Sequence, residues 1–252
     1  KINLVELGSG NGEMIFQIIS SAKKFKNFFD NFNFLIYEKS QSLIKLQKEK
    51  LKKEKLKWLK NLDKLEIYPT IFIGNEFLDA LPIKQYLKKN NIWYERYVQK
   101  KGGDYTFSNI KFDINKIEKK LNLKIPKNQN FLEISFEEIK IIKKLNQLIK
   151  KRDGCMLFID YAYLRPKMYD TLQAVKKHKK VNVLKNVGNA DITHLINIPF
   201  LKEVAKKNNL NLALNTQRNF LLNLGILERA EILSANKKFL EKANIFYRIN
   251  RL

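Results

Sequence analysis

The chain opens with a short apolar run, Ile2-Asn3-Leu4-Val5-Glu6-Leu7, that meets three glycines at alternate positions, Gly8, Gly10 and Gly12. An apolar stretch of this length ending at a glycine turn reads as a buried strand of a parallel sheet. Glycine lets the backbone take left-handed conformations and approach a ligand closely. The spacing is G-x-G-x-G, tighter than the G-x-G-x-x-G of dinucleotide-binding sheets, where the next helix faces a pyrophosphate. A carboxylate, Glu6, stands just before the turn. It repels phosphate and suits a ligand that is cationic or rich in hydroxyls.

The pattern that follows alternates between strand and helix. Residues 13–23, with Met14, Ile15, Ile18 and Ile19, have the period of an amphipathic helix. Residues 34–37 predict a second strand ending at Glu38, and residues 41–55 a charged helix. Residues 70–74 predict a buried strand that runs into Asn75-Glu76-Phe77-Leu78-Asp79-Ala80-Leu81-Pro82. From 83 to 112 the pattern becomes antiparallel, with turns at Asn90-Asn91 and Gly102-Gly103. A helix over 136–151, a strand over 156–161 and a helix over 194–208 come next. A strand over 210–216 and two short helices close the chain. The expectation is an α/β fold: one domain over 1–252 with a mostly parallel, doubly wound sheet and a β-hairpin insertion at about 83–134.

Composition excludes more than it assigns. The net charge of +24 invites a nucleic-acid partner. Yet seven of the 49 basic residues are arginine, and lysine, asparagine and isoleucine share A/T-rich codons. Bidentate base and phosphate contacts favour arginine, so the excess lysine reads as solvated surface and a nucleic-acid partner is disfavoured. No apolar run approaches the ~20 residues of a membrane-spanning helix. The single cysteine, Cys155, rules out an internal disulfide and a cysteine zinc cluster, and its apolar neighbours predict a small core residue. Two histidines, His178 and His194, are too few for a histidine-rich metal site. A reducing compartment follows: the cytoplasm of a bacterium, towards which the A/T bias leans, or the mitochondrial matrix of a eukaryote.

In doubly wound sheets ligands bind at the carboxyl ends of the strands. Here those ends converge on polar residues. Strand one ends in Glu6 and the glycine turn, and strand two in Glu38, which can accept both ribose hydroxyls. S-adenosylmethionine, with its sulfonium, amine and ribose, suits this pair of carboxylates. The next strand ends in Asn75, Glu76 and Asp79, and a later one in Asp160 and Tyr161. Glu76 and Asp79 are spaced to clamp a guanidinium or to act as a general base; alternatively, Asp79 caps a turn before Pro82. Gln173 in Asp170-Thr171-Leu172-Gln173-Ala174, then His178, and Asp191 in Ala190-Asp191-Ile192-Thr193-His194 are positioned to line the same cleft. Asp191 also suits a helix N-cap. Trp93 and the insertion's tyrosines read as core.

Taken in order, Glu-Leu-Gly-x-Gly-x-Gly, Asn-Glu-Phe-Leu-Asp-Ala-Leu-Pro, Trp-Tyr-Glu-Arg-Tyr-Val, Phe-Ile-Asp-Tyr, Asp-Thr-Leu-Gln-Ala, Ala-Asp-Ile-Thr-His and the late Gln-x-x-Phe-Leu-Leu-x-Leu-Gly resemble the MidA/NDUFAF7 family of S-adenosylmethionine-dependent methyltransferases. The resemblance covers nearly the whole chain. The glycine turn is shared by all Rossmann-like methyltransferases, whereas Asn75–Pro82 and Asp170–Ala174 are specific. Ser9, Asn11 and Leu78 stand where the family commonly has Pro, Arg and Phe.

The resemblance implies a Rossmann-like class I methyltransferase fold with S-adenosylmethionine as cofactor, held by Gly8, Gly10, Gly12 and Glu38; the strand-end reading adds Glu6 and Asn75 to the cofactor residues. It implies symmetric dimethylation of arginine in a protein substrate, linked to respiratory complex I and its assembly. Glu76 and Asp79 are the chemical candidates for the substrate side. A non-catalytic assembly factor built on the cofactor fold, or a methyltransferase of small molecules or nucleic acid, are the alternatives. The family also has a segment before the first strand and a strand after the last helices. The start at Lys1 and the lack of a closing element therefore read as a piece of a longer protein.

Overall fold

A computed structural model describes residues 1–177, 179–185 and 187–251. They form two compact units, Lys1–Leu210 and Asn211–Leu252.

In the first unit, β1 (Ile2–Leu7), α1 (Glu13–Ala22), α2 (Lys26–Asn31), β2 (Phe32–Tyr37), α3 (Gln41–Lys50), β3 (Leu56–Leu59) and β4 (Thr70–Asn75) follow one another. Then come β5 (Lys84–Lys89), β6 (Ile92–Lys101), β7 (Asp104–Lys111), α4 (Asn115–Leu121), β8 (Phe131–Ile134), α5 (Phe136–Arg152) and β9 (Gly154–Ile159). Five parallel strands make the main sheet, in the order β3-β2-β1-β4-β9. The chain moves outward from β1 in both directions, so the switch point lies between β1 and β4, beside the glycine turn.

Alternation along the strands explains the two covered faces. Leu4, Phe34 and Ile36 pack with Ile15 and Ile19 of α1. Val5, Leu7, Leu35 and Phe72 pack with Leu145 and Leu148 of α5 on the opposite face. Burying each such side chain contributes roughly 1.5–3 kcal/mol. β5–β8 form a separate antiparallel sheet, order β7-β6-β5-β8, with its own core of Tyr86, Trp93, Leu132 and Ile134.

The remainder of the unit is short strands: β10 (Ala162–Tyr163), β11 (Gln173–Lys176), β12 (Lys179–Val181), β13 (Asp191–Thr193) and β14 (Ile196–Asn197), followed by α6 (Ile198–Lys207). β11 carries β12 and β13 antiparallel on its two sides, and β10 pairs with β14. The second unit contains α7 (Gln217–Asn223), α8 (Ile226–Ser234) and α9 (Phe239–Asn250).

Four expectations are corrected. The charged helix predicted over 41–55 stops at Lys50, and the chain returns as β3 to pair with β2. The helix predicted from 194 starts at Ile198, where the Asn197 side chain accepts from the Phe200 amide at 2.8 Å and Pro199 occupies the first turn. Residues 210–216 form no strand. Cys155 is exposed rather than core, because β9 lies at the edge of the sheet as described.

Candidate active site

The glycine turn is built around the end of β1. Glu6 lies in register with Ile36 of β2 and Ile73 of β4, so its carboxyl sits at the switch point, 3% exposed. Gly8 N–H donates to Tyr37 O at 3.0 Å, and Gly12 N–H closes the turn onto Ser9 O at 2.7 Å. Gly12, at φ 78°, caps α1. A Cβ on Gly8, at φ 66°, would lie 2.8 Å from Phe77 Cδ2. The glycine turn and the loop after β4 are therefore in contact.

Glu38 follows β2. Its Oε1 accepts from the amides of Lys39 at 2.8 Å and Ser40 at 2.9 Å, which fixes the carboxylate and leaves Oε2 weakly held, 3.5 Å from Gln47 Nε2. Gln47 is fully buried on α3. Its Nε2 donates to Gly10 O at 2.9 Å and its Oε1 accepts the Trp58 indole N–H at 2.9 Å. Burial pushes the Glu6 carboxyl above the usual carboxylate range; Ser9 and the Ile15 amide oppose this, while the charge of Glu38 adds to it.

A second set of groups gathers at the ends of β4 and β9. Glu76 takes a left-handed backbone, φ 48°, yet its N–H continues the ladder to Ile159 O at 2.9 Å. Such conformations are strained for a residue with a side chain and gather at functional turns. Asp160 Oδ2 accepts the amides of Leu78 at 2.9 Å and Asp79 at 3.2 Å, and Oδ1 accepts that of Tyr161 at 2.9 Å. Asp160 thus holds the Asn75–Pro82 loop in shape. Asp79 is 4% exposed, and burial, with the charges of Asp160 and Glu76, lifts its carboxyl to about 7. Burial and Asp160 lift Glu138, near the start of α5, to about 8. Asp160 itself is raised by burial. Glu76 is exposed, and its charge is the main cause of the raised phenol of exposed Tyr161.

The approach to β14 closes this corner. His194 N–H donates to Asp79 O at 3.0 Å, and Ile196 N–H donates to Tyr161 O at 2.9 Å. Leu195 N–H donates to Thr171 Oγ1 at 2.9 Å, and that hydroxyl donates to Glu133 of β8. Gln85 Nε2 bridges Glu133 at 2.6 Å and Asp170 at 2.8 Å, while Arg96 donates to Gln85 at 2.9 Å and Asp170 at 2.6 Å. The antiparallel insertion is tied to the ends of β4 and β9 through this network.

The structure brings Glu6, Gly8, Gly10, Gly12 and Glu38 together at one strand edge, with Asn75, Glu76, Asp79, Asp160 and Tyr161 at the adjoining ends. Gln173 is occupied across β11 and β13, donating to Thr193 Oγ1 at 3.3 Å. Asp191 is not a helix cap: it opens β13, opposite Val175, and is exposed. His178 lies outside the described residues. Gln47 and Glu138 were missed by sequence reasoning, since a glutamine and a glutamate inside charged helices look like solvated surface. Among the described residues, no group of three or more His, Cys, Asp or Glu is arranged to hold a metal, and no helix is long and apolar enough to cross a membrane.

Glu6 Oε2 and Ser9 Oγ are buried at the turn, close enough for Ser9 to act on the Glu6 carboxyl, and neither completes a well-formed hydrogen bond among the described residues. Buried polar atoms of this kind call for a partner. Carboxylates at two neighbouring strand ends, with backbone left-handed at Gly8, Gly10 and Gly12, fit a ligand bearing an ammonium and a ribose.

Residues 1–216 match the family model described as "Putative S-adenosyl-L-methionine-dependent methyltransferase". The chain is 30% identical over 250 residues to the protein arginine methyltransferase NDUFAF7 homolog, mitochondrial, of Caenorhabditis elegans, covering 90% of this chain and 58% of that protein. It is 24% identical over 256 residues to the human mitochondrial protein arginine methyltransferase NDUFAF7, covering 91% of this chain and 57% of that one. A Burkholderia thailandensis protein crystallised with S-adenosyl-homocysteine superposes with a TM-score of 0.78 at 22% identity, over 97% of this chain and 66% of that one. The chain thus spans 58% and 57% of the lengths of these two curated relatives. The sheet order, the glycine turn and the match over residues 1–216 agree: the chain belongs to the S-adenosyl-L-methionine-dependent methyltransferase family and has its Rossmann-like fold.

Proposed function

We propose that the protein transfers a methyl group from S-adenosylmethionine to an arginine side chain of a protein substrate. The observation that carries this reading is the crowding of Glu76, Asp79 and Asp160 beside the glycine turn, which makes a corner suited to a cation. The names of the mitochondrial relatives support it, since they describe protein arginine methyltransferases. Symmetric dimethylation and a respiratory complex I subunit as acceptor follow from the family resemblance. The setting is the cytoplasm if the source is bacterial and the mitochondrial matrix if it is eukaryotic.

In this reading Glu6, the glycine turn and Glu38 hold the cofactor, with Glu38 Oε2 offered to the ribose and Asn75 at the rim. The cofactor supplies an electrophilic methyl on a sulfonium. Transfer is an in-line displacement, and the protein contributes chiefly by positioning. Glu76, exposed at the mouth, orients the guanidinium through its planar fork of donors. The charge of Glu76 and the buried Asp79 raises electron density on the acceptor nitrogen and favours loss of its proton. Phe77, next to Glu76, lies against Gly8 and so joins the substrate side to the cofactor turn.

The test is incubation of the full-length protein with labelled S-adenosylmethionine and cell extract, followed by mapping of the labelled residue. Label on arginine is the expected result, and label confined to RNA or small molecules would overturn the assignment. Absence of cofactor binding in calorimetry would favour a non-catalytic assembly factor.

A further inference from the structure

β7 is an outer strand of the antiparallel sheet, paired with β6 on one side and with no strand on the other among the described residues. Its pairing runs without a bulge from Lys111, opposite Tyr94, to Asp104, opposite Lys101. An unpaired edge presents a row of N–H and C=O groups that another chain can complete, and proteins blunt such edges with charges, proline or a bulge. From Tyr105 to Ile110 this edge has none of the three.

The hairpin also outruns its sheet. β5 pairs with β6 as far as Glu95, whereas the β6–β7 pairing continues to the Gly102-Gly103 turn. The outer half is a two-stranded ribbon, a structure that is marginal by itself. Its base is fixed: the Arg96 guanidinium lies over the Phe107 ring, 4.9 Å from the centroid, and donates to Asp170 at 2.6 Å. By register, Val98, Phe107 and Tyr105 share one face of the ribbon with Lys100. All three apolar side chains are exposed, Val98 by 56%. Lys100 and Lys101 stand at one end of the edge and Lys111 at the other. None of the three is in an ion pair among the described residues. The hairpin's own carboxylates are Glu95, engaged by Lys84 at 2.6 Å, and Asp104.

We propose that the β7 edge docks an extended, acidic segment of a partner protein, which joins the sheet as a fifth strand. Main-chain bonds to β7 supply affinity, and apolar residues at alternate positions of the segment pack beside Phe107 and Tyr105. Carboxylates at its ends meet Lys100, Lys101 and Lys111. A second copy of this chain would bring the same lysines and a like net charge of +24, which repels. The inference concerns docking alone and does not rest on which group of a substrate receives the methyl.

The probe is a capped peptide, Glu-Glu-Val-Thr-Val-Thr-Val-Glu-Glu, set against one with lysine in place of every glutamate. In the full-length protein, the acidic peptide is expected to slow amide hydrogen exchange within Tyr105–Ile110. It should bind about tenfold more tightly than the lysine peptide, and the exposed Lys100→Glu/Lys101→Glu change should reverse that order. Methylating alternate main-chain nitrogens of the acidic peptide should weaken it about tenfold, because ladder bonds are lost. Unchanged exchange at β7 with millimolar acidic peptide, or equal binding of the methylated peptide, would overturn the proposal. Protection of the same amides by a polyuridine oligonucleotide and not by the peptide would assign the edge to RNA. Protection that rises with protein concentration alone, with a dimer in sedimentation, would assign it to a second copy. Either result also overturns the proposal. Failure to label arginine in the methyl-transfer assay would sink the proposed function and leave these exchange measurements to decide the docking edge.

Discussion

The side-chain amide of Gln47 donates to the main-chain oxygen of Gly10 at 2.9 Å, across 37 residues of sequence. The same side chain accepts from Trp58 at 2.9 Å, so one buried glutamine ties the glycine turn to α3 and to β3. Replacing Gln47 with Met keeps the volume and removes both bonds. The unpaired Gly10 oxygen and indole N–H should lower stability by about 1–3 kcal/mol. Calorimetry should also show S-adenosylhomocysteine affinity reduced by about tenfold, because the turn is no longer fixed. Unchanged affinity in a folded Gln47→Met protein would show that the turn holds its shape without Gln47.

Gly8 and Gly10 make a second contrast. Both have left-handed backbones, at φ 66° and 51°, but a Cβ on Gly10 meets nothing within 4 Å, whereas one on Gly8 meets Phe77 at 2.8 Å. Gly10→Ala should carry the conformational penalty alone, about 1–2 kcal/mol. Gly8→Ala should carry that penalty and also displace Phe77, disturbing the acceptor loop. Methyl transfer should therefore fall further in Gly8→Ala than in Gly10→Ala. Adding Phe77→Ala should recover part of the Gly8→Ala loss, which a double-mutant cycle reads directly.

Four strands of the main sheet were legible as apolar runs, and the glycine turn because its backbone demands are local; β3 was not, since Leu56-Lys57-Trp58-Leu59 is short and follows a lysine-rich helix. Asp160 and Glu76 were legible as polar residues at strand ends. Gln47 was not: its role depends on Trp58 and Gly10, which only the tertiary fold brings near. Cys155 shows the opposite failure. Apolar neighbours predict a core position, but exposure depends on whether a further strand pairs with β9, a non-local fact. Asp191 has a cap's chemistry in a strand's position, since pairing with β11 overrides local preference.

Glu76 is exposed, while Asp79, three residues on, is buried. Glu76→Gln preserves shape and removes charge. In the full-length protein it should lower kcat for arginine methylation about 10²-fold and leave S-adenosylhomocysteine binding within twofold, because the charged cofactor groups, Glu6 and Glu38, belong to β1 and the end of β2, and Asn75 beside Glu76 keeps its own side chain. Equal loss of both in a labelled-methyl assay and calorimetry would place Glu76 on the cofactor side instead.

The buried carboxyls also set a pH dependence of stability. Asp79 is lifted to about 7 and Glu138 to about 8, and Glu6 and Asp160 are raised as well. A carboxyl raised on folding binds its proton more tightly in the native state. Its stabilisation is complete below the ordinary carboxylate range and is lost as pH rises through the folded value. The protein should therefore lose stability between about pH 4.5 and 8, opposite to the trend set by ion-paired carboxylates. Glu138 is enclosed, and its share approaches about 1 kcal/mol per pH unit within that window. Glu138→Gln mimics the protonated form, so its midpoint in urea should match that of the unmodified chain at pH 5 and exceed it at pH 8. Parallel curves for the two proteins across that range would mean that Glu138 remains ionised in the fold.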